Sequence, residues 1–183
     1  MQYINPFSLL NIKSDNLADV NNAIINRAKR KLLAEIELSD DNTTDYYGYE
    51  LTKSDCIRVI DELDNKDKKE FHFYINQNEH LNNFLSTRSL SFFENYKIDS
   101  IYKLPEFLDF ISPYFCEQYD KILSENYKTG NEKAVNLPLF SETQESNGVS
   151  REWKNQHAWK CLQILAGSKT GWGGAGAPDC PDS

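Results

Sequence analysis

Three histidines, four cysteines and two glycine-bearing strings are the residues of this 183-residue chain whose types and spacing could do chemistry. The histidines are 72, 80 and 157. His72 and His80 stand about 12 Å apart along a continuous helix, too far to share one metal ion. Neither belongs to an H-E-x-x-H zinc motif, and each reads as an ordinary surface or half-buried side chain. The cysteines, at 56, 116, 161 and 180, contain no C-x-x-C pair, and their spacings disfavour zinc. Cys56 and Cys116 sit among apolar neighbours in helical patterns and read as small core residues. A disulfide between Cys161 and Cys180 is sterically conceivable but disfavoured in a reducing compartment. The string from Gly171 to Gly176 fits G-x-G-x-x-G literally. A dinucleotide site needs a strand before it and a helix after it, whereas a helical pattern precedes and Pro178 and Pro181 follow, so the match is rejected. Gly167 to Thr170 lacks the leading glycine spacing of a P-loop. Carboxylates are plentiful, but no pair stands in an apolar setting as acid and base. No nucleophile has a Gly-x-Ser-x-Gly or Cys-His context. The expectation is a non-enzyme with no cofactor and no metal.

The candidate binding residues are cationic: Arg27, Lys29, Arg30 and Lys31. Such a cluster could contact an acidic partner or an RNA backbone, or form a solvated face balanced by the acids between Asp61 and Asp67. The formal charge of −8 argues against general nucleic-acid or anionic-membrane binding, which calls for a basic field. No run approaches 18 apolar residues, so no membrane span is expected. The N-terminus has neither a positive start nor an apolar stretch of secretory type, which makes a cytoplasmic protein the expectation.

Helices must position these residues. Hydrophobic residues are 39% of the chain and aromatics 13%, enough for a packed core despite the polar average. Phe7, Leu10 and Ile12 can pack one side of a short first helix, with Pro6 in its first turn. Ser14, Asp15 and Asn16 offer N-caps for a second helix, whose apolar stripe would run through Val20, Ala23, Ile24, Ala28, Leu32 and Ile36. Residues 39–51 are polar and read as a loop. Thr52 with Asp55 makes a capping box, after which Cys56, Val59, Ile60 and Leu63 recur at helical spacing. Asp64 and Asn65 interrupt or tighten that helix before Phe71, Tyr74 and Ile75 resume its apolar face. Further helices are expected over Leu81 to Leu85 and Leu90 to Tyr96, with Ser86 or Thr87 as a cap between them. Pro105 opens another, with Phe107, Leu108 and Ile111 inward. Ser112 and Pro113 look like a cap and first position starting a new helix, with Phe115, Tyr119, Ile122 and Leu123 as its stripe and Gly130 as its stop.

The order of short helix, basic helix, exposed loop and long helix over about residues 4–76 resembles a J domain. Phe7 and Leu10 match that family's aromatic-x-x-Leu pattern. Arg27, Lys29, Arg30 and Lys31 occupy the ground of its basic second helix, and Leu63, Asp64, Asn65, Lys69 and Phe71 look like the end of its third. The resemblance implies a J-like helical hairpin and a protein partner, an Hsp70-type chaperone. The family's His-Pro-Asp tripeptide is missing, because the chain reads Glu37, Leu38, Ser39, Asp40 and Asp41 where it belongs. ATPase stimulation is therefore not expected. An unrelated helical hairpin with coincident caps is the competing reading.

The expected organisation is all-α: a J-domain-like module over 1–85, an aromatic-rich helical region over 86–130, and a linker, short helix and disordered glycine-rich tail over 131–183. Trp153, His157, Cys161, Ile164 and Leu165 repeat at helical spacing; Trp153, Trp159 and Trp172 could anchor a partner, while Trp153 fits packing against the helical body at least as well. Five of the eight glycines fall at or after 167, a composition that cannot bury enough to order itself. That tail reads as a flexible terminus, a truncated or frame-shifted end, or a processed peptide on a carrier. Two functions follow: a non-enzymatic protein-interaction or chaperone-associated adaptor, or a carrier whose C-terminal segment is processed or modified by an enzyme.

Overall fold

The computed structural model describes residues 2–94 and 100–129. Over them the chain is mostly helical, in the expected all-α class, with one small two-stranded sheet. Helix α1 (Pro6–Leu9) is short and fully specified at its start. Asn5 Oδ1 accepts from the backbone N–H of Phe7 at 2.9 Å and of Ser8 at 3.4 Å, while Pro6 stands at a first-turn position where no N–H is needed.

Helix α2 (Asn22–Leu38) begins later than its caps suggested. Asn16 caps a separate 3₁₀ turn, Leu17–Asp19, and Asn21 caps α2 through Ile24 N–H at 3.1 Å. The later start rotates the apolar stripe. Ile25, Leu32 and Ile36 are the buried residues, Val20 enters the core from outside the helix, and Ile24 is 42% exposed. At 3.6 residues per turn Ile24 lies about 100° round from Ile25, outside the arc that Leu32 and Ile36 share.

The segment expected as a loop after α2 is instead a hairpin of β1 (Thr43–Tyr46) and β2 (Tyr49–Thr52), paired Thr43 to Thr52 and Tyr46 to Tyr49. Tyr47 and Gly48 turn it, both at positive φ (50° and 82°), the two-residue geometry that matches strand twist. Asp45 Oδ1 accepts from Gly48 N–H at 3.3 Å. Tyr46 and Leu51 point inward and are buried.

Helix α3 (Lys53–Asp61) starts on the expected capping box, with Thr52 and Asp55 bonded reciprocally. After a 3₁₀ turn, Glu62–Asp64, Asn65 adopts extended backbone and caps α4 (Lys66–Gln77). The expected interruption at Asp64 and Asn65 is thus a complete break. Lys29 pairs with Asp61, and Glu37 with Lys53. Eight residues forward along α2 match eight back along α3, so the two helices run antiparallel.

Helix α5 (Glu79–Thr87) contains Ser86 and Thr87, which therefore do not cap the next helix. Arg88 ends α5 in the left-handed region at φ 64°, and Ser89 Oγ accepts from Ser91 N–H at the start of α6 (Ser91–Glu94). A 3₁₀ turn, Ser100–Lys103, leads to α7 (Pro105–Thr129). Pro113 does not start a helix but lies inside this one. A proline there removes the N–H that would bond Asp109 carbonyl. Ser112 Oγ donates to that carbonyl at 3.4 Å, and the buried stripe Phe107, Ile111, Phe115, Tyr119 and Ile122 continues across the break.

Two apolar clusters result. One gathers Phe7, Val20, Ile25, Leu32, Ile36, Tyr46, Leu51, Cys56, Ile60 and Leu63; the other gathers Tyr3, Ile75, Leu81, Phe84, Leu85, Phe92, Tyr102, Phe107, Ile111 and Phe115 with their neighbours. Rings interlock in the second, Phe84 lying 4.7 Å from Phe115 between centroids. Cys56 is a core residue as expected, and burial pushes its thiol up to about 11. Cys116 is half-buried. Tyr96, Gly130, His157, Cys161, Cys180, the three tryptophans and all expectations for 131–183 lie outside the described residues.

Candidate functional site

The four cations do not form one group. With Ile25 taken as the buried direction, Lys29 lies only about 40° away around the helix, while Arg30, Arg27 and Lys31 lie about 140°, 200° and 240° away. Lys29 accordingly leans toward α3 and meets Asp61 at 2.6 Å, with its side chain 25% exposed. The acidic stretch expected to pair with the basic cluster therefore does so through this one bridge. Arg27, Arg30 and Lys31 stand on the outer face and are exposed.

On that face Arg27 has Arg30 three residues ahead and Lys31 four ahead, so its helical neighbours repel it by about 0.2–0.5 kcal/mol per pair. Arg30 Nε donates to Asn26 carbonyl at 3.3 Å, and Lys31 pairs loosely with Glu35 at 3.7 Å. Among the described residues Arg27 has no hydrogen bond or ion pair. Beyond the helix, Ser39 caps its C-terminus. The Ser39 hydroxyl lies 2.8 Å from Ile36 carbonyl and 3.0 Å from Thr43 carbonyl, tying the helix end to β1.

A second constellation is buried, and sequence reasoning missed it. His72 on α4 is 1% exposed rather than a surface or half-buried residue, and Tyr3 is equally buried. Tyr3 Oη lies 3.0 Å from His72 Nδ1, and His72 Nε2 lies 2.9 Å from Glu62 Oε2. The carboxylate accepts only, which makes Nε2 the protonated nitrogen and Nδ1 the acceptor of the Tyr3 hydroxyl. Asn5 Nδ2 donates to Tyr3 Oη at 3.3 Å and to His72 carbonyl at 3.0 Å, and Asn5 N–H donates to Tyr46 Oη at 3.0 Å. Tyr3 belongs to one apolar cluster and Tyr46 to the other, so Asn5 fastens the seam between them.

This network holds His72 neutral. Burial pushes its imidazole below the ordinary value, outweighing the attraction of Glu62. The hydrogen bond from His72 holds the Glu62 carboxyl below its usual range, and burial pushes the Tyr3 phenol well up. Hydroxyl, imidazole and carboxylate in a line are the ingredients of a proton relay. Tyr3, however, is enclosed, its ring edge-on to that of Tyr114 with centroids 5.1 Å apart, and the three side chains tie the N-terminal segment to α4 and the turn before it. Two signals pointed to it: Asn5 directly before Pro6, a cap before a first-turn proline, and His72 three residues before Ile75 on the buried stripe of α4.

His80 is half-buried on α5, 3.3 Å from Ser91 Oγ. Among the described residues no three His, Cys, Asp or Glu side chains are grouped to hold a metal ion, and no helix is long and apolar enough to cross a membrane. No family model matches the chain, and no curated protein or solved structure is detectably similar to it.

Proposed function

We propose that the chain is a non-enzymatic docking module in which Arg27, Arg30 and Lys31 on the outer face of α2 bind an acidic surface of a protein partner, an Hsp70-type chaperone, without stimulating its ATPase. The observation that carries this reading is a face of like charges at i, i+3 and i+4 whose central demand, Arg27, is met by no acid among the described residues. Such a face costs the isolated helix stability, and an acidic partner would relieve it. The antiparallel pairing of α2 and α3 supports the J-like order of elements. Ser39, Asp40 and Asp41, in place of His-Pro-Asp, support docking without activation. Lys29 drops out of the docking set because Asp61 already engages it.

The test uses the whole chain and a purified Hsp70 chaperone. The triple reversal Arg27→Glu, Arg30→Glu and Lys31→Glu is expected to abolish binding while keeping the helical circular-dichroism signal. Lys29→Glu is expected to retain binding. Undiminished capture by the folded triple variant, or wild-type acceleration of ATP hydrolysis, would overturn the proposal.

A further inference from the structure

We propose that the Tyr3, His72 and Glu62 chain is an acid-sensitive latch, in which protonating His72 releases the N-terminal segment Gln2–Asn5 and with it the cap of α1. The geometry leaves the added proton badly placed. In the neutral ring Nδ1 accepts the Tyr3 hydroxyl and Nε2–H donates to Glu62. Once both ring nitrogens donate, Tyr3 Oη must accept from His72 as well as from Asn5 Nδ2, and its own hydrogen loses its acceptor in a buried site.

The groups that face the ring from every side set the balance. Glu62, on the turn before α4, attracts the imidazolium, but its other oxygen already lies 3.4 Å from Lys68 Nζ. Lys68, on α4 itself, repels the added charge. Tyr3 comes from the N-terminal segment, and Phe110 of α7 stands edge-on to the ring at 5.0 Å. Further out, Tyr114 of α7 packs on Tyr3, with Arg58 of α3 acting on Tyr114, and Tyr46 of β1 lies beyond Asn5. Among the described residues Tyr3 Oη is hydrogen-bonded only to His72 Nδ1 and Asn5 Nδ2, so its hydrogen has no second acceptor already in place.

What opens is defined by the bonds that depend on Tyr3 and Asn5. Gln2 Nε2 donates to Ser86 carbonyl at 2.8 Å and Gln2 Oε1 accepts from Gln118 Nε2 at 3.1 Å, so the segment is clipped to α5 and α7 at one end and to α4 at the other. Losing the α4 end frees Asn5, whose side chain is the α1 cap.

The sign follows from linkage. A group whose value is lowered on folding contributes stability that is complete above its ordinary value, here 6.5, and is lost as pH falls below it. One proton taken up on opening gives up to about a tenfold loss of protection per pH unit. Hydrogen exchange on the full chain, corrected for intrinsic rates, is expected to show backbone protection in residues 2–10 falling between pH 6.5 and 5.0, while Leu81–Leu85 stays protected. His72→Gln keeps a donor and an acceptor but cannot charge, and should make that protection independent of pH. Should this variant not fold, an NMR titration of wild-type His72 decides. A midpoint below 6.5, accompanied by changes at Tyr3 and Asn5, supports the latch. A midpoint at or above 6.5, flat wild-type protection, or the same acid loss in a folded His72→Gln protein would overturn it.

Discussion

Replacing Asn5 separates two jobs that one amide performs. Asn5→Ala removes the Oδ1 that accepts from Phe7 and Ser8 N–H, a cap worth about 1 kcal/mol. It also removes the Nδ2 donor to Tyr3 Oη and His72 carbonyl, two buried bonds worth about 1 kcal/mol each. The carbonyl is interior to α4 and keeps its helical donor, so it is not wholly orphaned. The expected loss is about 2–4 kcal/mol. Asn5→Asp keeps the cap, because aspartate caps as well as asparagine. It turns the second job against the fold, setting a carboxylate oxygen against the His72 carbonyl oxygen and removing the donor to Tyr3 Oη, at a position with no exposure. At pH 7 the aspartate variant should therefore be no more stable than the alanine variant. Urea unfolding followed by far-ultraviolet circular dichroism measures both, as a fall in midpoint at constant slope. A loss of only about 1 kcal/mol for alanine together with wild-type stability for aspartate would refute the reasoning by showing that the cap alone matters.

Two further substitutions test backbone readings. Pro113 is exposed inside α7, so Pro113→Ala loses little packing and restores a helical donor to Asp109 carbonyl; a gain of about 1–3 kcal/mol is expected in thermal melts, and a loss would contradict it. At Gly48 a Cβ would meet nothing within 4 Å, yet φ of 82° disfavours any L side chain. Gly48→Ala should destabilise by about 1–2 kcal/mol, and an unchanged melt would show that the turn relaxes.

The local features were legible in the sequence. Thr52 and Asp55 cap α3 across three positions, and Cys56, Val59, Ile60 and Leu63 are all buried as their spacing requires. The hairpin was not legible, because its strands carry Thr, Asp and Glu and its turn uses Tyr47 in place of the usual asparagine. What holds it is tertiary: Tyr46 enters the core and its hydroxyl accepts from Asn5 N–H, forty-one residues away. Pro113 misled for a related reason. Its intrinsic cost, about 3 kcal/mol, is real, but the buried side chains on both sides of it are each worth about 1.5–3 kcal/mol if one helix keeps them in line. The stripe outweighs the proline.

The buried tie and the basic face stand in opposite relation to satisfaction. Around His72 the donors and acceptors of Tyr3, Asn5 and Glu62 answer one another, and the arrangement works only while the ring is neutral. On the outer face of α2 the reverse holds, since Arg27 has like charges three and four residues ahead and meets no acid among the described residues. Stability alone does not account for that face, because replacing Arg27 by a neutral helix former would remove repulsion without disturbing the stripe of Ile25, Leu32 and Ile36. Lys29, two residues on, shows what a stabilising cation looks like in this helix: it leans toward α3 and finds Asp61. The contrast between these neighbours, set by their angular positions, is the observation on which the proposed docking face rests.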